Sequence, residues 1–306
     1  MTSIKEHAMI ERRHFLAAAA ASAMLPRGAL AASPKPIIGV QLYMARELLA
    51  KDFEATLAAI AATGVRHVEF AGFYDRDVAT IRKTLADNGL VAVGAHALRA
   101  DMDDAEIDRL IEQCAGIGMD YAVAPVPLVP AYRALVGKSD NPFRDAIAAL
   151  TRDDFLRTAD RFNTIGGKVR SAGMRFAYHT HGLDFLRFDG RYAFDDMIER
   201  CDPAFVDFEL DVGNTIAAGV DPLPYLERLG RRASLAHLKD WRGPIEPAVD
   251  RIPPTAPIGE GVVDFAAVMR AMSAAGVRYA FIEEEETPAD RVIAAIGSAY
   301  RHLGRL

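Results

Sequence analysis

The feature that most constrains this chain is a series of short apolar runs that each end in an ionisable side chain and alternate with stretches of helical period. The runs end at Glu69, at His96, at His179 and His181, at Asp211, at His237 and Lys239, and at Glu283. Carboxylates, imidazoles and ammonium groups are costly to bury without partners, so their recurrence at the same end of successive strands requires a shared polar environment. In a closed parallel sheet the C-terminal strand ends meet at one mouth, and that is where active sites are built. The pattern therefore points to an enzyme with a metal-dependent site.

Strand-like runs lie at 37–42, 67–70, 91–96, 121–124, 175–180, 206–212, 235–239 and 279–283. Helix-like patterns fall between and after them, at 52–63, 77–88, 104–116, 153–172, 194–201, 222–229, 265–275 and 289–303. Gly89 follows the second of these as a C-cap signal. Eight such units predict an α/β fold with right-handed crossovers, closed into a (β/α)8 barrel. No Gly-x-Gly-x-x-Gly turn follows the first run, which argues against a dinucleotide site. The segments 125–150, with four prolines, and 241–261, with five, exceed a usual βα connection and read as walls or lids of the site.

Residues 1–32 stand apart. Arg12 and Arg13 precede an apolar run from Phe15 to Leu25, and Ala29-Leu30-Ala31 supplies a small-residue cleavage pattern. The run is shorter than the roughly 20 residues that span a bilayer. The segment resembles a twin-arginine (Tat) export signal, which implies cleavage near Ala31 or Ala32, passage through the Tat machinery and a periplasmic mature domain at 33–306. After cleavage no membrane attachment is expected. The full chain carries −6, and the first 32 residues contribute four basic and two acidic side chains, which leaves about −8 on the mature part. An acidic chain without a Lys/Arg stripe is a poor nucleic-acid binder. Cys114 and Cys201 lie in helical patterns and read as buried free thiols.

Alternate residues of a strand share a face, so Glu209 lies with Asp211, His237 with Lys239, His179 with His181, and Glu283 with Glu285. Phe208, Leu210, Leu238, Tyr178 and Ile282 form the opposite, helix-facing set. The polar face must then line the interior of the mouth.

Six motifs, GVQLY at 39–43, YHTH at 178–181, ELDVG at 209–213, HLKD at 237–240, IGEG at 258–261 with Asp264 and Phe265, and Ile282-Glu283, occur in this order. Together they resemble the xylose isomerase-like TIM-barrel superfamily, in its sugar phosphate isomerase/epimerase branch, over 37–303. The resemblance implies one divalent metal held by residues after strands five to eight, and Asp211, His237 and Glu283 match the last three positions. At strand five the common Glu is replaced by His179, so the fourth ligand is His179 or Glu209, with His179 placed first. An imidazole at that position favours Mn²⁺, Zn²⁺ or Fe²⁺ over Mg²⁺. The expected chemistry is proton abstraction α to a carbonyl, with His181 and Glu283 as catalytic groups and Lys239 neutralising negative charge. Glu69, His96 and Glu209 are expected to contact the substrate, and Glu284 and Glu286 are read as solvated loop charges.

A sugar isomerase or epimerase is the first reading, and a lyase or dehydratase acting on a keto-sugar or inosose by the same enolisation is the second. His179 and the export signal both favour the second, because phosphorylated sugars are scarce outside the cytoplasm. A periplasmic sugar-binding protein is a non-enzymatic alternative, which the Asp211, His237 and Glu283 set opposes. An apurinic-site endonuclease would need a basic face and more histidine ligands. The partner is thus a small sugar or keto-sugar, and a homo-oligomer is compatible with the sequence. Replacing Arg12 and Arg13 by Lys is predicted to hold the protein in the cytoplasm, as read by cell fractionation. Undiminished delivery of that variant to the periplasm would remove the export reading.

Overall fold

Eight parallel strands close on themselves: β1 Ile37–Gln41, β2 His67–Phe70, β3 Val91–His96, β4 Tyr121–Ala124, β5 Arg175–His179, β6 Val206–Asp211, β7 Ala233–Leu238 and β8 Tyr279–Ile282. The computed structural model describes residues 34–306, which form a single unit; the export segment expected at 1–32 lies outside the described residues. Ile37 pairs with Tyr279 and Val40 with Ile282, which seals the barrel. The expected (β/α)8 architecture is the observed one. Among the described residues no helix is long and apolar enough to cross a membrane.

Closure separates two apolar layers. Tyr178, Phe208, Leu210, Leu238 and Ile282 are fully buried between strands and helices, as their alternation requires. Each such side chain contributes roughly 1.5–3 kcal/mol of burial. Val93, Tyr121, Val123, Ala177, Leu235, Tyr279 and Phe281 form a separate cluster in the interior. The polar mouth therefore rests on an apolar plug.

Local chemistry sets the helix ends. Asp77 accepts from Thr80 N at 2.7 Å to start the helix Val78–Asn88, and Gly89 ends it at φ 60°, a left-handed conformation that glycine adopts without a Cβ penalty. Asp103 and Glu106 form a reciprocal capping box on Asp104–Ile117. Cys114 and Cys201 are buried and free.

The connections depart from the sequence reading. Segment 125–150 holds two short helices, Tyr132–Leu135 and Pro142–Ala148, too brief to show a period; Asn141 caps the second by accepting from Arg144 N at 3.1 Å. A further helix, Val212–Ala217, starts directly from β6. In the second long segment Asp240–Trp241 pairs antiparallel with Thr255–Ala256. Asp240 fixes this segment: its carboxylate accepts from the backbone N–H groups of Trp241, Gly259, Gly261 and Val263 at 2.8–3.1 Å. Glu284 is not solvated. It is 3% exposed and accepts from Ile258 N at 3.2 Å and Thr287 Oγ1 at 3.0 Å, so it ties the same segment to the end of β8. Glu286 is exposed as expected, although it accepts from Thr255 Oγ1 at 3.1 Å.

A Cβ on Gly261 would fall on the Asp240 carboxylate and the Trp241 carbonyl. Gly261→Ala is predicted to cost about 1–3 kcal/mol from overpacking. Asp240→Asn should cost about 1.5–3 kcal/mol, the range for hydrogen bonds to a charged group. The double variant should cost less than the sum, because both changes break one contact. Urea unfolding measures all three, and strictly additive losses would refute the shared contact.

Candidate active site

Strand register brings the polar ends together. His179 of β5 pairs with Glu209 of β6, Asp211 of β6 with His237 of β7, and Gln41 of β1 with Glu69 of β2. The ladder shifts between Val68 and Glu69 and again between Phe208 and Glu209. Irregularities of this kind re-aim side chains beside functional sites.

The resulting cluster has two tiers. In the upper tier His179 Nε2 lies 3.7 Å from Asp211 Oδ2, and His237 Nδ1 lies 2.8 Å from Glu283 Oε2. In the lower tier Glu209 Oε2 lies 2.7 Å from His96 Nε2, 3.0 Å from His179 Nδ1 and 3.3 Å from His237 Nε2. Glu69 Oε2 there meets His237 Nε2 and Gln41 Nε2, both at 2.8 Å. The imidazoles pack on one another, with His96 and His237 stacked at a 5.2 Å centroid separation.

Asp211 caps the helix Val212–Ala217 through Asn214 N at 2.8 Å, and its other oxygen accepts from Asn214 Nδ2 at 2.7 Å. Thr180 Oγ1 accepts from Asp211 N at 3.0 Å, so the residue between the two strand-five histidines fixes the neighbouring strand end. Asp184 accepts from His181 N at 2.7 Å and from Tyr178 Oη at 2.6 Å, which holds the His181 backbone.

Lys239 is 2% exposed, and its ammonium reaches Asp211 at 3.1 Å, Glu283 at 3.0 Å and Glu285. Asp240, its neighbour in sequence, is committed instead to backbone N–H groups. Close approach of this lysine needs Gly213, where a Cβ would come within 2.5 Å of the Lys239 Cβ.

A cavity of about 330 Å³ opens on this cluster, lined by Tyr43, His96, His179, His181, Lys239, Glu283 and Glu285, with Pro125 and Val126 as one wall. The expected wall role of segment 125–150 thus falls on its first two residues. Of the expected substrate contacts, His96 lines the cavity. Glu69 and Glu209 are fully buried below it and face histidines instead, because the side chains of the next layer cover them. Gln41, Tyr43 and Asn214 belong to the site but carried no individual sequence signal, and Glu285 was placed there only by its parity with Glu283. Gln41 could have been found as a buried amide on the inward parity of β1.

Charge sets the protonation states. Burial pushes the His96 pKa down, but Glu69 and Glu209 outweigh it and raise it to about 9. Burial likewise opposes charge on His237, and Glu209 and Glu283 carry it well above the ordinary imidazole value. Burial and then His237 hold His179 well below that value. His181 is pushed down to about 3, first by burial and then by Lys239. For Glu283, burial is outweighed by Lys239 and His237, which keep it well below the usual carboxylate range.

The donors fit a divalent cation. His179, Asp211, His237 and Glu283 each offer an atom within 4.8 Å of the others and all are buried. Among the described residues Lys239 pairs with Asp211, Glu283 and Glu285, whereas Glu69 and Glu209 form ion pairs only with histidines, and Glu69 Oε1 and Glu209 Oε1 are buried without a hydrogen-bond partner. Mixed imidazole and carboxylate donors suit Mn²⁺, Zn²⁺ or Fe²⁺ better than Mg²⁺. Removing the ammonium leaves buried carboxylates uncompensated, so Lys239→Met is predicted to cost about 3–5 kcal/mol in chelator-treated protein. Added Mn²⁺ should recover part of that loss. Denaturant unfolding with and without the ion measures both, and wild-type stability in chelator would overturn this account of the charge balance.

An inosose dehydratase from Geobacillus thermodenitrificans (strain NG80-2) is 25% identical over 254 residues, covering 78% of this chain and 83% of that protein. A sugar phosphate isomerase/epimerase from Parabacteroides distasonis ATCC 8503 superposes with a TM-score of 0.69 at 19% identity, over 91% of this chain and 97% of its own. The probable 3-DHS dehydratase of Bacillus anthracis does so with a TM-score of 0.64 at 14% identity, over 86% and 98%. At these identities the two structures establish the shared fold. Residues 57–302 match a family profile across nearly the whole barrel, and the chain belongs to the xylose isomerase-like TIM barrel family.

Proposed function

We propose that the protein is a metal-dependent lyase that removes the proton α to the ketone of a polyhydroxylated ring and expels the β-oxygen substituent, as a dehydratase of an inosose or related keto-sugar. The observation that carries this reading is the strand-five histidine. The resemblance to epimerases implies two glutamates exchanging protons on opposite faces of the substrate, and here His179 stands where one of them would be. Glu283, the remaining one, is engaged by His237 at 2.8 Å and Lys239 at 3.0 Å. Inverting a carbon needs a proton-transfer group on each face, one to take the proton and one to return it, whereas an elimination needs one base and a route for the leaving group. The inosose dehydratase relative supports this choice over the isomerase that the sequence suggests first. Export through the twin-arginine route is part of the proposal and favours an unphosphorylated substrate.

A divalent ion held by His179, Asp211, His237 and Glu283 would supply Lewis-acid polarisation of the ketone. His181 lines the cavity, is held by Asp184 through its backbone, and is unprotonated, as a base must be. The burial that keeps it neutral also makes it a weak base, so the carbon acid must be activated from the other side. Lys239 does this by placing a positive charge beside the oxygen that becomes negative. The electron pair of the broken C–H bond moves first onto the ketone oxygen as an enolate, and its return forms the C=C bond as the β C–O bond breaks. The proton held by His181 passes to the departing oxygen, so the ketone yields an enone and water.

Candidate keto-polyols incubated in D₂O should acquire deuterium at the carbon next to the carbonyl and yield a product lighter by water. His181→Ala should lower the exchange about 10²–10⁴-fold. A chelator should abolish it, and Mn²⁺ should restore it. A rearranged product of unchanged mass apart from label would replace the elimination by an isomerisation, and turnover without solvent exchange would sink the enolisation step itself.

A further inference from the structure

The lower tier has the composition of a binding site, and its His96 and Glu209 are not part of the upper metal set. We propose that His96, His179, Glu209 and His237 form a second cation site beneath the one that Asp211 and Glu283 complete, and that it takes a divalent transition metal. One atom from each of these four residues lies within 4.8 Å of the other three. The two shared histidines turn a different nitrogen to each tier. His179 directs Nδ1 to Glu209 and Nε2 to Asp211, and His237 directs Nε2 to Glu209 and Glu69 and Nδ1 to Glu283. Either tier can therefore be filled through its own ring nitrogens, and filling both releases the remaining N–H proton of each shared ring.

Three further observations set the lower tier apart. Glu69 and Glu209 are fully buried, and each keeps one oxygen with no hydrogen-bond partner, which is rare for a buried acceptor. Lys239 compensates the upper carboxylates, whereas among the described residues Glu69 and Glu209 form no ion pair with a lysine or arginine, only with histidines. The two register shifts of the barrel that involve β2 and β6 fall immediately before these two glutamates. Three imidazoles with carboxylate oxygens favour Zn²⁺, Co²⁺, Fe²⁺ or Mn²⁺ and disfavour Mg²⁺ and Ca²⁺. The inference rests on the donor set and does not depend on which reaction the cavity supports.

The test is Co²⁺ binding to the purified, chelator-stripped protein, with stoichiometry from elemental analysis, affinity from the visible absorption of bound Co²⁺, and folding from circular dichroism. In Asp211→Asn, which disturbs only the upper tier, one Co²⁺ per chain should remain, with an affinity within about threefold of wild type. Adding Glu209→Gln should weaken that ion at least about 100-fold, since losing a direct ligand exceeds the 10–100-fold typical of losses around one. His96→Ala should act in the same direction. If Asp211→Asn binds no Co²⁺ while the wild type does, the upper site stands and the lower one is refuted. Retention of the full wild-type stoichiometry and spectrum in folded Glu209→Gln and His96→Ala would also refute it. A wild type that binds no Co²⁺ at all overturns both sites, and a single ion lost with Glu209 but kept without Asp211 supports the lower site and removes the upper.

Discussion

Parallel pairing of Ile37–Val40 with Tyr279–Ile282 closes the sheet, and closure turns the two-residue alternation of every strand into an inside and an outside. All else in the molecule follows from that division. Outward residues such as Phe208 and Leu238 meet helices and must be apolar. Inward residues meet one another, and the plug of Tyr121, Tyr279 and Phe281 separates the ionisable groups of the mouth from the Arg175–Asp207 pair at the opposite strand ends. Register then decides which polar groups become neighbours, and it sets His179 beside Glu209 and Asp211 beside His237.

A mouth assembled this way concentrates like charge. Glu69, Glu209, Asp211, Glu283 and Glu285 lie within reach of a single lysine and a group of imidazoles. An isolated buried carboxylate costs several kcal/mol even after relaxation. The protein offsets part of this by placing Lys239 between the upper carboxylates and by raising the basicity of His96 and His237. His179 and His181 are pushed the other way by burial, which leaves two neutral rings beside two basic ones. Neutral imidazoles are the form that binds metals and accepts protons, so His96 and His237 give up a proton when they take an ion. The separation among the four histidines thus comes from burial, which carboxylates outweigh at His96 and His237 and which His237 and Lys239 reinforce at His179 and His181.

The irregular segments serve the same mouth from above. Asp240 gathers four backbone N–H groups, three of them from 259–263, and Glu284 adds Ile258, so the second long connection is anchored at both β7 and β8. Anchoring by charge-assisted hydrogen bonds lets a proline-rich segment stay ordered without a core of its own. Trp241 completes the brace by donating from Nε1 to Gly213 O at 2.7 Å.

The barrel, its eight repeats and the inward set of His179, Asp211, His237, Lys239 and Glu283 were legible in the chain, because periodicity and parity are local properties that survive folding. The short helices at Tyr132–Leu135 and Pro142–Ala148 were not, since a single turn or two shows no period. Nor were the roles of Glu69, Glu209 and Glu284. Whether a carboxylate faces a cavity, a histidine or a backbone N–H depends on what lies one layer above it, and that is set by register between strands far apart in sequence. Glu69 and His237 are 168 residues apart and 2.8 Å in space. The sequence by itself determined which residues could be polar inside this barrel, and the tertiary structure decided which of them share a charge.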